Sequence, residues 1–370
     1  MQKKILVMGC TGSIGSQTLD IARKMPESFK VVGLCAGKNK EALNKAMKEF
    51  SCKGTLFEED GMEGISRLIE ESNADIAVNG IAGSQGLEPS ILVLKKGIDL
   101  ALANKESVVM AWDLIKDIGK KTGASIIPVD SEHSAIFNLT EKIGKENISQ
   151  LIITASGGPF RNLPREELFK VTLEQALRHP TWNMGKKITI DSASLGNKGL
   201  EVIEAVRLFG FDPKDVKVLV HPQSIVHSLV RTKDGMIYAQ LSNPDMRHPI
   251  FGALVWPEYK ENYMETFDLA EHELTFQKPR LNDFPLLSLA YKCAEKGNSY
   301  PIAYNAANEI AVQSFIDHKA GFMDIPYCVE KVLEADWSQK VESINTVYEM
   351  DSKARIMAKK IIDSLSGEVQ

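Results

Sequence analysis

The chain has 370 residues, of which 44% are hydrophobic and 25% charged, with a formal net charge of -5 at pH 7. That is globular material with ample core, of a size for two or three domains. Its acidic balance supplies no basic field, so nucleic acid is not an expected partner, and an anionic substrate would need a local basic pocket. No apolar run is long enough to span a bilayer, and the strand pattern from Ile5 leaves no room for a signal or transit peptide. Cys10, Cys35, Cys52, Cys293 and Cys328 are scattered and lack metal-ligand spacing, which predicts reduced thiols in a cytoplasmic protein.

Residues 5–8 (Ile-Leu-Val-Met) read as a buried strand. Gly9-Cys10-Thr11-Gly12-Ser13-Ile14-Gly15 and a helical run over 16–24 follow. Strand, glycine-rich turn and helix make a phosphate cradle, because glycines permit close backbone approach and the helix N-terminus attracts an anion. At the head of a strand-helix series this points to a dinucleotide, although any tight strand-to-helix turn can use glycine. The next strand, 29–35, ends in Ala36-Gly37-Lys38-Asn39-Lys40. No acid stands there to hold ribose hydroxyls, whereas a lysine and an amide suit a 2′-phosphate, so NADP is favoured over NAD.

Further strands are predicted over 74–78, 99–103 and 125–129, with helices between them, giving a parallel, doubly wound sheet over the first 130 residues. The second of these ends in Asn104-Lys105-Glu106 and the third in Asp130-Ser131-Glu132-His133. Carboxylates beyond the carboxyl end of a parallel strand stand where open α/β sheets bind ligands. Asp130 and Glu132 repel each other unless a proton or a hard divalent cation intervenes. Equally, Asp130 could cap the next helix and Glu132 lie in its first turn. Lys105 projects from the same edge, either as a structural ion pair or as a substrate contact.

A helix is expected over 134–141. The strand 151–155 then runs into Ser156-Gly157-Gly158-Pro159, a turn able to offer amides and a hydroxyl to an anion. The segment 179–187, His-Pro-Thr-Trp-Asn-Met-Gly-Lys-Lys, has no clean period and reads as a lid or a packed connection. Residues 191–201 follow, leading into a helix over 201–209. Their serines, Asn197 and Lys198 suit phosphate binding at a helix start. Asn197, Lys198 and Glu201 can share one helix face. Glu201 either pairs with Lys198 on the surface or serves as a third oxygen ligand beside Asp130 and Glu132. Strands over 216–220, 225–231 and 236–241, the last two joined by a hairpin turn, predict an antiparallel sheet with one face left for a partner subunit. His221, His227 and His248 in this region read as structural. Helices over 286–295, 304–318, 326–335 and 344–365 predict a terminal helical domain.

With these motifs assembled, the chain resembles the 1-deoxy-D-xylulose 5-phosphate reductoisomerase family. The resemblance is carried by residues 9–15, 36–39, 103–107, 128–133, 155–160, 179–187, 197–201 and 305–309 (Asn-Ala-Ala-Asn-Glu). Cys10, where relatives are expected to have a smaller residue, departs mildly from the pattern. The resemblance implies an α/β chain of three parts: a Rossmann-like doubly wound NADPH domain (1–130), a central α+β catalytic and dimerisation domain with an open sheet (131–280), and a C-terminal helical domain (281–370). It implies NADPH together with Mg²⁺, Mn²⁺ or a similar ion such as Co²⁺, and a homodimer. Metal ligands carry over to Asp130, Glu132 and Glu201. Substrate contacts carry over to Lys105, Ser131, Ser156, His179, Ser192, Asn197, Lys198 and Glu201. Cofactor contacts carry over to Thr11, Gly12, Ser13, Ile14, Gly37, Lys38, Asn39, Asn104, Glu106 and Gly185, and Trp182 and Met184 fall in a closing loop over about 179–188. Lys105, Asp130, Glu132, His179 and Glu201 are the implied catalytic set. The implied reaction is conversion of 1-deoxy-D-xylulose 5-phosphate to 2-C-methyl-D-erythritol 4-phosphate in the non-mevalonate isoprenoid pathway.

Two rivals remain from sequence. A short-chain reductase would need a Tyr-x-x-x-Lys pair, and the match found is Tyr327 with Lys331, far from the nucleotide half. A non-catalytic NADPH sensor would need neither the carboxylates nor the phosphate pocket.

Overall fold

A computed structural model of the chain describes residues 2–182 and 184–367. Asn183, inside the expected lid, lies outside the described residues, as do the final three of the expected helical domain. Two compact units are present: residues 1–107, 112–137 and 245–269 form the first, and 108–111, 138–244 and 270–370 the second.

The first unit holds β1 (Lys3–Met8), α1 (Ser13–Lys24), β2 (Phe29–Ala36), α2 (Lys40–Phe50), β3 (Lys53–Leu56), α3 (Phe57–Ser72), β4 (Ile76–Asn79), α4 (Leu87–Lys95), β5 (Asp99–Leu102), α5 (Lys105–Thr122) apart from 108–111, β6 (Ile126–Pro128) and the start of α6 (Ser131–Ile143). Its strands run parallel in the order β3-β2-β1-β4-β5-β6. This is the doubly wound, Rossmann-like order, whose direction of winding reverses between β1 and β4. The apolar runs are continuous rather than alternating because both faces are covered. Ile5, Val7, Ile76, Val78 and Ala101 are fully buried in one core. β3 is absent from the sequence expectation, since Lys53-Gly54-Thr55-Leu56 is a short edge strand with half its residues outside the core.

The second unit contains β7 (Ile148–Ala155), α7 (Arg165–Leu168), α8 (Leu173–Ala176), α9 (Lys186–Ala193), α10 (Gly196–Phe209), β8 (Val216–Val220), β9 (Val226–Thr232) and β10 (Ile237–Leu241). α11 (Arg247–Val255) belongs to the first unit, where Phe251 meets Phe29 edge-on and Arg247 pairs with Asp20 of α1. The rest of the second unit is α12 (Pro285–Lys296), α13 (Tyr300–Ile316), α14 (Asp324–Leu333) and α15 (Ile344–Gly367). These helices pack in the same unit as the second sheet, α12 on α10 and α13 on α9.

Two expectations need correction. The second sheet, ordered β10-β9-β7-β8, is mixed rather than antiparallel, because β7 and β8 run parallel. The four helices α7 to α10 lie between them in sequence, and a parallel pair needs such a crossover, whereas β9 and β10 are joined by the expected hairpin and pair antiparallel. Helix α10 begins at Gly196, not Glu201. Gly196, Asn197 and Gly199 are poor helix formers, but a Cβ at Gly199 would lie 2.3 Å from the Tyr304 hydroxyl, so packing against α13 selects glycine over propensity.

Candidate functional site

In the first unit the crevice at the reversal point is lined by backbone. Gly9 has φ +77°, and a Cβ there would sit 2.8 Å from the Gly80 carbonyl oxygen; one at Gly15 would lie 2.3 Å from the Gly9 carbonyl oxygen. A larger residue at either place would fill the cradle. Helix α1 starts at Ser13, directly after Gly12, and no side chain caps it, so its first-turn N–H groups face the same turn as Thr11 and Gly12. This backbone fits a pyrophosphate. At the end of β2, Gly37, Lys38 and Asn39 are exposed, and Asn39 caps α2 by accepting the Ala42 N–H, which leaves its amide nitrogen as the donor end.

Asn104 caps α5, its Oδ1 accepting the Ser107 N–H at 3.0 Å and the Ser107 hydroxyl. Its Nδ2 donates to the carbonyls of Ile81 and Gly83 and to Glu106 Oε2, at 2.8–2.9 Å. Asn79, also buried, donates to Gly86 O and Ser90 Oγ. The Asn104 side chain is therefore spent on shaping the 80–86 loop, and any cofactor contact from this residue would come from its backbone. Sequence reading missed Asn79, Ser90 and Ser107 because a lone buried amide or hydroxyl carries no motif.

At the edge of β6 Asp130 takes the cap reading, and it also forms the ion pair weighed for Lys105. Its Oδ1 accepts the Glu132 N–H at 3.2 Å, as a helix cap does, and its Oδ2 accepts from Lys105 Nζ at 3.0 Å, with the two side chains only 7% and 13% exposed. α6 starts at Ser131, three residues earlier than expected, which is why the cap falls on Asp130. Ser131 Oγ donates to Glu132 Oε2 at 2.5 Å. His133, fully buried, places Nδ1 3.2 Å from Asp130 Oδ1. It was not singled out from sequence, though its position three residues beyond Asp130 in the same helix was a usable signal.

In the second unit Glu201 is 1% exposed and its carboxylate accepts from Asn197 Nδ2 and Lys198 Nζ. The expected shared face is formed, but it is buried, not a surface pair. Taking two charges out of water in this way is costly and weak evidence for stability, so a role beyond folding is the simpler account. Ser156, His179 and Ser192 meet in the same unit. His179 Nε2 stands 3.0 Å from Ser156 Oγ and 3.1 Å from Ser192 Oγ. Its Nδ1 accepts the N–H groups of Thr181 and Trp182, at 3.1 and 2.9 Å. Two donors on Nδ1 require the proton of the neutral ring to sit on Nε2, so His179 offers an N–H beside two hydroxyls. Burial, with the Arg161 charge adding to it, lowers its pKa to about 4. Trp182 and Met184 follow in irregular backbone, and Gly185 is the N-cap position of α9.

His221 is structural: Nδ1 donates to the Thr275 carbonyl, Nε2 accepts two backbone N–H groups, and the ring stacks on Phe276. His227 bonds Ser242, and burial lowers the pKa of His248. The Tyr327–Lys331 pair is an exposed contact on α14. Among the described residues no helix is long and apolar enough to cross a membrane.

Because the ring is held as a neutral Nε2–H donor, His179 is expected not to titrate near 6.5. Its folded pKa is below the unfolded value, so the unfolded chain binds the extra proton first, and its contribution to stability is complete above pH 6.5 and lost between pH 6.5 and about 4. Ring ¹⁵N NMR from pH 5.5 to 8 checks this; a protonated ring at pH 6 would refute it.

Three family models match the chain. The model of 1-deoxy-D-xylulose 5-phosphate reductoisomerase covers residues 5–60 and 55–112, and its C-terminal domain model covers 126–209. A second model, the DXP reductoisomerase C-terminal domain, covers 241–357. The chain is similar to the 1-deoxy-D-xylulose 5-phosphate reductoisomerase of Treponema denticola, with 48% identity over 99% of each chain, and to that of Clostridium perfringens, with 42% over 95% of this chain and 98% of the relative. Its structure is similar to the enzyme from Zymomonas mobilis in complex with NADPH, with a TM-score of 0.90, 38% identity, and 98% of this chain and all of the other covered. A DOX-P reductoisomerase in complex with NADPH, fosmidomycin and magnesium gives a TM-score of 0.87 at 34% identity, covering 98% and 99% of the two chains.

Proposed function

Because the chain belongs to the 1-deoxy-D-xylulose 5-phosphate reductoisomerase family, whose members are NADPH-dependent oxidoreductases, we propose that it rearranges and reduces this sugar phosphate to 2-C-methyl-D-erythritol 4-phosphate, using NADPH and a divalent metal ion. The observation that carries the reading is the first turn of α10, where a buried carboxylate, an ammonium and an amide are gathered at a helix start with no structural need for charge there. We place the reaction in the non-mevalonate isoprenoid pathway and in the cytoplasm, and the active form as a homodimer.

Asp130, Glu132 and Glu201 are the proposed metal ligands. Three carboxylates are the hard oxygen donors that Mg²⁺, Mn²⁺ or Co²⁺ takes, and two of them, Asp130 and Glu201, pair with Lys105 and Lys198. When bound, such an ion supplies Lewis-acid polarisation of the substrate ketone and its neighbouring hydroxyl. The residues proposed to hold NADPH are Thr11, Gly12, Ser13, Ile14, Gly37, Lys38, Asn39, Asn104, Glu106 and Gly185, with Lys38 and Asn39 suited to a 2′-phosphate; bound there, the cofactor would supply the hydride for reduction of the branched aldehyde.

The remaining work falls to side chains. Ser156, Ser192, Asn197, Lys198 and the His179 Nε2–H hold the phosphate, and that remote grip orients the reacting carbons. Because His179 is neutral, it contributes a directed donor without adding a mobile proton. Ser131 and Lys105 are the proposed contacts to the reacting end, where the Lys105 ammonium, already fixed by Asp130, would stabilise negative charge building on oxygen as the carbon skeleton breaks and rejoins. The segment 179–188, with Trp182 and Met184, is the proposed lid, and its closure excludes water from the aldehyde.

The deciding experiment is NADPH oxidation, followed by absorbance, with 1-deoxy-D-xylulose 5-phosphate. Turnover is expected with Mg²⁺ or Mn²⁺, to vanish in EDTA and to return on adding metal. Undiminished turnover in EDTA would favour an ordinary dehydrogenase, and no turnover under any condition a non-catalytic NADPH sensor.

A further inference from the structure

We propose that Asn308 is a positioning residue for the anion pocket and acts through Asp191. The inference rests on the reading of Ser156, His179 and Ser192 as phosphate contacts, and extends it to α13, a helix that otherwise looks like a buttress.

Helix α9 has eight residues, with Gly185 at its N-cap position and Ser192 in its last turn. So short a helix does not hold its own place, and its orientation must come from neighbours. One neighbour is the turn after β7: a Cβ at Gly158 would lie 2.8 Å from the Ser192 carbonyl oxygen and from Ala193 Cα, so the Ser156–Gly158 backbone rests directly on the end of α9. Another is α13, reached through Asp191. This carboxylate is 1% exposed; it accepts from Asn308 Nδ2 at 2.7 Å and from Lys187 Nζ, one turn earlier in the same helix, at 2.9 Å. Among the described residues, the bond to Asn308 is thus the one that ties the Asp191 carboxylate to another element. Ser192 is the next residue, and a rotation of α9 that breaks the Asp191 bond carries the Ser192 hydroxyl away from His179 Nε2.

Asn308 shows the cost of the arrangement. It is fully buried, and its Oδ1 finds no hydrogen-bond partner among the described residues. An unsatisfied buried acceptor is destabilising, a cost an apolar residue would avoid, so the amide is better explained by what its nitrogen holds than by stability. It lies in the Asn-Ala-Ala-Asn-Glu segment (305–309), one of the motifs for which no contact with substrate, metal or cofactor is otherwise proposed.

The test compares N308A, N308D and the exchange D191N/N308D with S192A as a control, all as full-length enzyme, measuring KM for 1-deoxy-D-xylulose 5-phosphate, KM for NADPH, and kcat per folded protein. N308D sets carboxylate against carboxylate and is expected to raise the sugar-phosphate KM about tenfold or more, with the NADPH KM within about twofold, as expected for a misplaced grip on the substrate alone. N308A moves the same constant in the same direction and replaces N308D if that variant does not fold. The exchange restores a donor and an acceptor in reversed roles and should recover most of the loss. A merely structural role would lower thermal stability and leave both KM values unchanged. If S192A raises the sugar-phosphate KM while N308A and N308D do not, or if the exchange recovers nothing, the positioning role is overturned and the pocket stands. If S192A itself leaves KM unchanged, the pocket reading fails and the inference falls with it.

Discussion

Glu201→Gln is expected to lower kcat by about a hundredfold or more at saturating metal, because it removes a charged oxygen donor from the ion proposed to stabilise charge in the transition state. The substitution is nearly isosteric, so the first turn of α10 keeps its shape and Asn197 keeps a partner. Lys198 loses its buried counter-charge, and breaking such a pair costs about 3–5 kcal/mol of stability, so kcat must be counted per folded protein, with the melting temperature measured beside it. Affinity for NADPH should stay near wild type, since none of the groups proposed to hold the nucleotide is on α10. Raising the metal concentration should recover part of the lost rate if the remaining carboxylates still bind the ion weakly. A kcat close to wild type would remove Glu201 from the ligand set.

Lys198→Ala is expected to raise the KM for the sugar phosphate by about a hundredfold, as loss of one charge-assisted contact of roughly 2–3 kcal/mol implies, with a smaller change in kcat. Because Lys198 also neutralises Glu201, a rise in KM alone could come from an altered metal site. Comparison with 1-deoxy-D-xylulose, which lacks the phosphate, separates the two. The variant and the parent should use that poor substrate about equally if Lys198 serves the phosphate, and a loss as large as with the phosphorylated substrate would move its role to Glu201 and the ion. Two neutral contacts, Ser156 and Ser192, remain beside His179 in the variant, so binding should weaken rather than disappear.

How much of this was legible follows from what each signal depends on. The strands of the first sheet were visible because burial on both faces demands unbroken apolar runs, and the glycines of 9–15 because the cradle leaves no space for a Cβ at Gly9 or Gly15. The acid pair at Asp130 and Glu132 was visible as chemistry, but not that Asp130 would cap α6 and pair with Lys105 at once. That depends on two β-strand ends, β5 and β6, lying side by side, a parallel pairing whose register sets Leu100 against Ile126 and Leu102 against Pro128. The start of α10 was misjudged because local propensity opposes a helix at Gly196 to Gly199, and only tertiary contacts explain those glycines, Gly196 lying against Leu286 and Gly199 against Tyr304. The same limit hid β3, the mixed second sheet and the Asn308–Asp191 bond.

The sequence by itself determined the residue chemistry and the periodic elements: a phosphate cradle heading a doubly wound sheet, no acid at the end of β2, carboxylates and a lysine at strand ends, and an amide, a lysine and an acid at helical spacing. These are local facts, set by side-chain type and by the periods of strand and helix. Tertiary structure alone decided which nitrogen of His179 carries the proton, that Glu201 and Lys198 are buried rather than on the surface, that the Asn104 side chain is spent on a loop, and that Asn308 of α13 bonds Asp191 of α9. Each of those depends on burial and on partners distant in sequence, which change the energy of a polar group by more than its local sequence can.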